Sequence, residues 1–541
     1  MRPRRKRVAI LGGGCAGVAA AHALSRTPAL RRAFVVTVYE QSWRLGGKGA
    51  TGRDPEHGHR IEEHGLHVWM GFYDHAFAAV RECLDAWDPP PACPLQRFED
   101  AFAPQYAFSV GDWRLQLPQR PGRPGDPRPH GWSAFAESRF AIQMLAALAR
   151  GRAPWARAHG IARLAGVVLR GLTAEAFGRG DVWQRMDAYD LRAWLIRHGA
   201  SATTANAPVI RALYDMAFAY PDGVAGNGRG AVAAGAAVRS ILRLLLTYQG
   251  APMWKLRFGM GDTAFAPMHE VLRRRGVTFR FLHRTERLVP SDSTNTIDAV
   301  EMTSHDDGHH NDPLITVGGL PCWPRAPRRR RGAARKLTLR HGDDFDDLIL
   351  AIPSGALRPL LTDVARRHRP IATMLEHTHT VATKAAQLWT QQPIPAQRET
   401  VTGTAGPFAT MADLSEVLTA EAWPTESAPR GLLYLVDTMP DANASEAVVA
   451  ADARSWLEHV GPGLLGEPIK LAAPPYVRAN VEGWERYVLT LPGTTRFRIA
   501  PDQTGVNNLR ICGDWVQTSI NGGSVEAAFE SATVAAASLA G

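Results

Sequence analysis

The chain has 541 residues, 45% hydrophobic and 21% charged, which allows several domains and a large core. Its five cysteines, Cys15, Cys83, Cys93, Cys322 and Cys512, form no CxxC pair and are odd in number. That excludes a disulfide framework and a zinc site as expectations and points to a reducing, cytoplasmic setting.

The net charge of +10 is local: residues 2–7 and 325–336 together carry +12, leaving −2 for the rest. No nucleic-acid motif accompanies either run, so no nucleic-acid partner is expected. Residues 1–6 read as a disordered tail and the second run as a solvated loop, with peripheral contact to an anionic membrane surface as the sharper alternative. No apolar run approaches the ~18 residues of a membrane span.

"VAILGGGCAGVAAAHAL", residues 8–24, follows "RPRRKR". A secretory signal has such a basic start and a small-residue end such as "AHA". A dinucleotide unit demands more, and the sequence supplies it. "RVAIL" is a strand. Gly12, Gly14 and Gly17 stand in GxGxxG order, for a tight turn, close approach to a pyrophosphate and close helix packing. A helix beginning at Cys15 and Ala16 turns its N–H groups toward the phosphates. "FVVTVYE" ends at Glu40, 23 residues after Gly17, where a carboxylate accepts hydrogen bonds from ribose hydroxyls.

Next comes "QSWRLGGKGATG", a second glycine-rich, basic loop with Gln41, Arg44, Gly46, Gly47 and Lys48. Such a loop can close over a pyrophosphate from the other side. Here the chain resembles the flavin-containing amine oxidase and phytoene desaturase superfamily. "IEEHGLHVWMGFY", with Glu63, His64, Gly65, Leu66, His67, Gly71 and Tyr73, is similar to the carotene-desaturase stretch that passes beside the isoalloxazine ring. Read physically, it is a glycine-bounded apolar turn holding two histidines. Each is either a packed core residue or, for His67, a catalyst.

Residues 132–180 read as amphipathic helices broken by arginines, including "AIQMLAALA" and "IARLAGVVL". "YAFSVGDWRLQL" reads as a hairpin turning at Gly111-Asp112, and residues 118–131 as a proline-glycine loop. "RMDAYDLRAWLIRHG" reads as one helix stopped by Gly199. Residues 257–289 give a glycine turn, an amphipathic helix and a strand, and "DFDDLILAIP" another strand. Between them, about 304–341, an insertion rich in His, Pro and Arg reads as an exposed loop. The resemblance puts the adenine edge against a backbone amide near Thr285. Lys384 in "TVATKAAQLW" is a catalytic candidate whose plainer reading is solvent exposure.

The C-terminal "NLRICGDWVQTSINGGSVEAAFESATVAAASLAG" reads as a strand, a turn at Gly513-Asp514 and a helix starting near Gly523 or Ser524. It is similar to the superfamily's closing motif. That resemblance implies that Asp514 bonds the ribityl chain or pyrophosphate. It also turns the helix N-terminus, with Gly523, Ser524 and Val525, toward the flavin ring. Trp515 either walls the ring, as a catalytic candidate, or packs. Ala527 replaces the usual glycine, a methyl expected to tighten the helix against the flavin.

The resemblance implies FAD as cofactor, no metal, and an α/β fold. A discontinuous Rossmann-like FAD-binding domain of the glutathione-reductase type (1–75, 245–355 and 476–541) would carry an inserted α+β substrate domain (76–244 and 356–475). It implies an FAD-dependent oxidoreductase, desaturase or dehydrogenase first, moving hydride from an apolar or aromatic small molecule to flavin. An amine or amino-acid oxidase is the second reading. A non-catalytic binding protein like the GDP-dissociation inhibitors, or an NAD(P)-linked enzyme, explains less. Richness in Ala, Arg, Gly and Pro suggests a bacterial source, with specialised metabolism as the expected role.

Overall fold

The computed structural model describes residues 4–110, 113–126, 155–226, 228–306, 312–328, 332–395, 400–403 and 406–540. The Gly111-Asp112 turn, the end of the 118–131 loop, "AIQMLAALA" and Arg329 to Arg331 lie outside them.

Strand β1 (Lys6–Leu11) enters the glycine turn, helix α1 (Cys15–Ser25) leaves it, and strand β2 (Phe34–Tyr39) returns in parallel beside β1. A hairpin of β3 (Thr51–Asp54) and β4 (Arg60–Glu63) follows, then helix α2 (Asp74–Ala86). Helices α3 (Trp155–Ala176), α4 (Pro208–Met216) and α5 (Ala234–Leu246) come next. The chain returns through α6 (Ala266–Arg274), β5 (Thr278–Arg280), β6 (His283–Pro290) and β7 (Asp347–Leu350). After them come β8 (Thr380–Thr390), β9 (Gly431–Met439), α7 (Glu446–His459) and β10 (Tyr476–Asn480). Strand β11 (Leu509–Ile511) and helix α8 (Val525–Ala540) close it.

Five strands from distant parts of the chain make one parallel sheet in the order β5-β2-β1-β7-β11. Both its faces are covered, as a parallel sheet requires. Alternation along each strand divides the core. Val8, Ile10, Val36 and Val38 pack with the alanines of α1 and α8 on one face. Ala9, Leu11, Leu348, Leu350 and Ile511 pack with Leu357, Trp515 and Val516 on the other. The alanine runs of α1 and α8 have no side chain long enough to hold the two helices apart.

A second sheet of eight strands has β8 and β9 side by side toward one end and Ala107–Val110 and Trp113–Gln116 at the other. Ala382, Ala386, Leu433 and Leu435 on one face meet Val449, Ala453 and Trp456 of α7. Ala385, Tyr434 and Val436 on the other face Ile61 and Leu66. Helices α3, α4 and α5 share a further core around Trp194 and Tyr214.

Three expectations are corrected. Residues 4–7 are not a loose tail: Arg4 and Arg7 pair with Asp346, and Lys6 already belongs to β1. "RMDAYDLRAWLIRHG" is two helices, Val182–Asp187 and Leu191–Arg197. Asp190 breaks them, its carboxylate accepting from the N–H groups of Arg192 and Val232 and from the Tyr214 hydroxyl.

The insertion is not an exposed loop. Ile315–Val317 and Leu320–Cys322 form a hairpin over Gly318-Gly319, and Leu314, Val317, Leu320, Cys322 and Trp323 enter the core. Arg325 ion-pairs with Asp54 and Glu62, and Arg335–Arg340 is a strand paired with Ile297–Ser304. The polar composition around it concealed an alternating apolar hairpin. Two further contacts tie distant segments together. Strand β10 joins the eight-stranded sheet through β8, and α2 is capped by Glu526 of α8, which accepts from the His75 and Ala76 N–H groups.

Candidate active site

The glycine turn has a different constraint at each glycine. Gly12 has φ +107°, and a Cβ there would press the Ala351 carbonyl at 2.8 Å. A Cβ at Gly17 would overlap the Gly12 carbonyl, so α1 packs this closely only with glycine. Gly14 is different: its Cβ would meet nothing nearer than 3.8 Å. The protein's own packing does not demand that glycine, and the open space suits a diphosphate approaching the backbone.

Glu40 holds the turn. Its carboxylate accepts from the Gly13 and Ser42 N–H groups, each at 2.7 Å. Burial raises its pKa, and those two amides oppose the rise. Each oxygen keeps a lone pair for a ribose hydroxyl. The second loop bonds directly to the first, Gly46 N–H to the Gly13 carbonyl at 2.9 Å.

Cations gather beside these loops. The Arg44 guanidinium is half-buried, desolvation lowers its pKa, and no carboxylate among the described residues ion-pairs with it. Lys48 Nζ meets Asp514 at 2.9 Å. His64 is held neutral, its pKa pushed well below the usual histidine value by burial first and then by Arg478, His67, Arg44 and Lys48. Its Nε2 is buried without a hydrogen-bond partner. A half-buried guanidinium without a carboxylate partner among the described residues and an orphaned imidazole nitrogen beside an open glycine turn fit an anionic dinucleotide.

His67 is held at both ring nitrogens. Its Nδ1 bonds Glu63 at 2.6 Å and its Nε2 bonds the Lys48 carbonyl at 3.1 Å. Burial lowers its pKa, but Glu63 and the Lys48 carbonyl more than offset this, and the net shift is upward. Both nitrogens are therefore committed, and the ring anchors the glycine loop.

At the other end of the chain, Gly513 donates to Ser531 and Asp514 reaches Lys48. Trp515 is packed: it is 1% exposed, and its indole N–H donates to the Ile352 carbonyl at 3.1 Å. Ser524 caps α8 by accepting from the Ala527 N–H, and the Tyr487 hydroxyl donates to the Gly523 carbonyl. Ala527 is buried and does not line the cavity, so its methyl does not press toward the flavin side as expected; Val525 and Ala528 line it instead.

One cavity of about 1240 Å³ brings these parts together. It is lined by Gly12, Gly14, Cys15, Ala16, Glu40, Gln41, Arg44, Gly46, Gly47 and Lys48. His64 to His67, Thr285, Gly513 to Trp515 and Gly523 to Val525 line it too. Gly17 alone of the cofactor candidates stands behind the wall, in its packing position.

Lys384 is a correction. It is buried rather than exposed, and its ammonium pairs with Asp452 of α7 at 2.7 Å. It therefore points to the α7 face of the sheet, while its neighbours Thr383 and Ala385 point the other way.

Sequence reading missed Arg478, Asn480, Tyr487 and Asp215, which also line the cavity. Asn480 donates to the His64 carbonyl at 3.1 Å, fixing that turn from β10. No local motif marks these residues; they reach the site through strand pairing and helix packing. Among the described residues no helix is long and apolar enough to cross a membrane.

The fold and site define a flavin-dependent oxidoreductase, and comparison with known proteins agrees. Residues 10–83 match the model of the NAD(P)-binding Rossmann-like domain, and residues 328–540 that of the flavin containing amine oxidoreductases. No curated protein sequence matches the chain. Among solved structures, an oxidoreductase from Methanosarcina mazei is similar at 11% identity and TM-score 0.58, with 99% of each chain covered. Putrescine oxidase bound to putrescine is similar at 14% identity and TM-score 0.55, again with 99% of each chain covered. Cyclohexylamine oxidase from Brevibacterium oxydans is similar at 14% and 0.54 over the same shares. At such identities these likenesses show the fold. The chain is thus similar to the flavin containing amine oxidoreductases over residues 328–540 and shares the fold of these solved structures.

Proposed function

We propose that the chain dehydrogenates an apolar or aromatic small molecule in a desaturase-like reaction. The observation that carries this reading is the continuity of the cavity. From the glycine turns it runs on into a chamber walled by Leu164, Val168, Leu195, Ile210, Leu213 and Leu242. Such a wall takes up apolar surface and keeps water from the reacting centre. FAD, when bound, supplies the hydride acceptor.

In this reading Glu40 binds the ribose and Thr285 the adenine edge. The α1 N-terminus, Arg44 and Lys48 hold the diphosphate, and Asp514 holds the ribityl chain. The N-terminus of the 16-residue α8 faces the ring edge, where a helix end favours negative charge by about 0.3–1 kcal/mol. His67 and Trp515 act as positioning and wall residues rather than as proton carriers. The discontinuous FAD-binding domain with an inserted substrate domain belongs to the same proposal. Amine oxidation is the second reading, favoured by the match of residues 328–540 to the amine oxidoreductase model.

The test is anaerobic mixing of the holoprotein with polyenes, amines and amino acids, following the visible flavin band. Bleaching by apolar hydrocarbons or polyenes is expected. Bleaching by amines alone overturns the first reading in favour of the second.

A further inference from the structure

Among the described residues of the chamber's helical wall, Asp215 is the one ionisable side chain. It stands in the last turn of α4 and is 8% exposed. One carboxylate oxygen accepts from the Tyr220 hydroxyl at 2.5 Å, and the other has no hydrogen-bond or ion-pair partner among the described residues. Burial raises its pKa, while the Tyr220 hydrogen bond and then Arg211 hold it down.

The hydroxyls nearby do not answer it. Thr402 and Thr410 bond one another at 2.9 Å, and Thr400 accepts from Gln105 at 3.0 Å. Just past α4, the Phe218 ring lies 5.0 Å from that of Tyr487, which in turn bonds the head of α8. The unsatisfied oxygen thus belongs to the cavity that reaches the flavin helix. That oxygen is open to the cavity, so a ligand that excludes water from it and pairs with it gains selectivity over one that does not.

We infer that Asp215 is a specificity-determining residue that accepts a hydrogen bond from a single donor, a hydroxyl or an ammonium, on an otherwise apolar substrate. The inference rests on the apolar-substrate reading and narrows it.

Three matched probes test it: hexylbenzene, 6-phenylhexan-1-ol and 6-phenylhexylamine, measured by anaerobic equilibrium dialysis against the holoprotein. The alcohol, the amine or both are expected to bind at least about tenfold tighter than the hydrocarbon, the span of a hydrogen bond to a charged group. Whichever does so names the donor. Asp215→Leu is expected to erase the preference. Asp215→Asn, the milder change, is expected to keep an alcohol preference and lose an amine preference. Equal binding of all three probes, or a preference that survives Asp215→Leu, overturns the inference while leaving the apolar reading standing. Failure of all three to bind overturns that reading and the inference together.

Discussion

Glu63 decides the character of His67. The imidazole spans a carboxylate and the Lys48 carbonyl, so it needs a proton on each nitrogen to satisfy both. Glu63→Gln removes the charge that keeps it doubly protonated. The variant is expected to release FAD about tenfold faster, read by the fluorescence of freed flavin, without losing the fold. Lys384 offers the converse case. It lines the cavity, but its ammonium is held by Asp452. Lys384→Met is therefore expected to lower the melting temperature yet leave the rate of flavin reduction within about twofold. The two residues look alike as titratable groups beside apolar runs. What separates them is which way each side chain leaves its backbone, and for Lys384 strand alternation settles that only once the partner face is known.

At the scale of elements, the glycine turn makes a sharper prediction than its motif does. Gly17→Ala drives a methyl into the Gly12 carbonyl and is expected to destabilise even the cofactor-free protein, by roughly 1–3 kcal/mol or more in denaturant titration. Gly14→Ala meets no such obstacle. It is expected to leave the cofactor-free melting temperature nearly unchanged and to weaken FAD binding selectively. Equal effects from the two would overturn the division of roles. Strand, turn, helix and acid were legible here because all are local: forty residues contain every part of the unit. The 315–322 hairpin was not, because composition averaged over the insertion hid a short alternating run. The split of "RMDAYDLRAWLIRHG" escaped too, since Asp190 takes its partners from Val232 and Tyr214, far along the chain.

Across the whole molecule, a fully buried pair, Arg53 with Asp262 at 2.8 Å, ties hairpin β3–β4 to the segment before α6, and Arg53 also donates to the Ala420 carbonyl. Arg53→Met leaves Asp262 charged and dry, and is expected to cost about 3–5 kcal/mol in denaturant unfolding. Nearby, burial pushes the Glu421 carboxyl up to about 7 against the N–H donors of Trp423, Ile61 and Trp389. A folded-state value raised above the ordinary carboxyl range favours the protonated form. Its stability contribution is full below about pH 4.5 and is lost as pH rises through 7. Melting temperatures of the wild type should therefore fall relative to Glu421→Gln across that window. Parallel slopes for the two would refute it. The nucleotide unit and the closing helix could be read from residues in order, because each is built from neighbours along the chain whose spacing already encodes the turn. The chamber and the place of the Asp215 carboxylate in it could not, because their parts come together only when strands pair and helices pack across hundreds of residues.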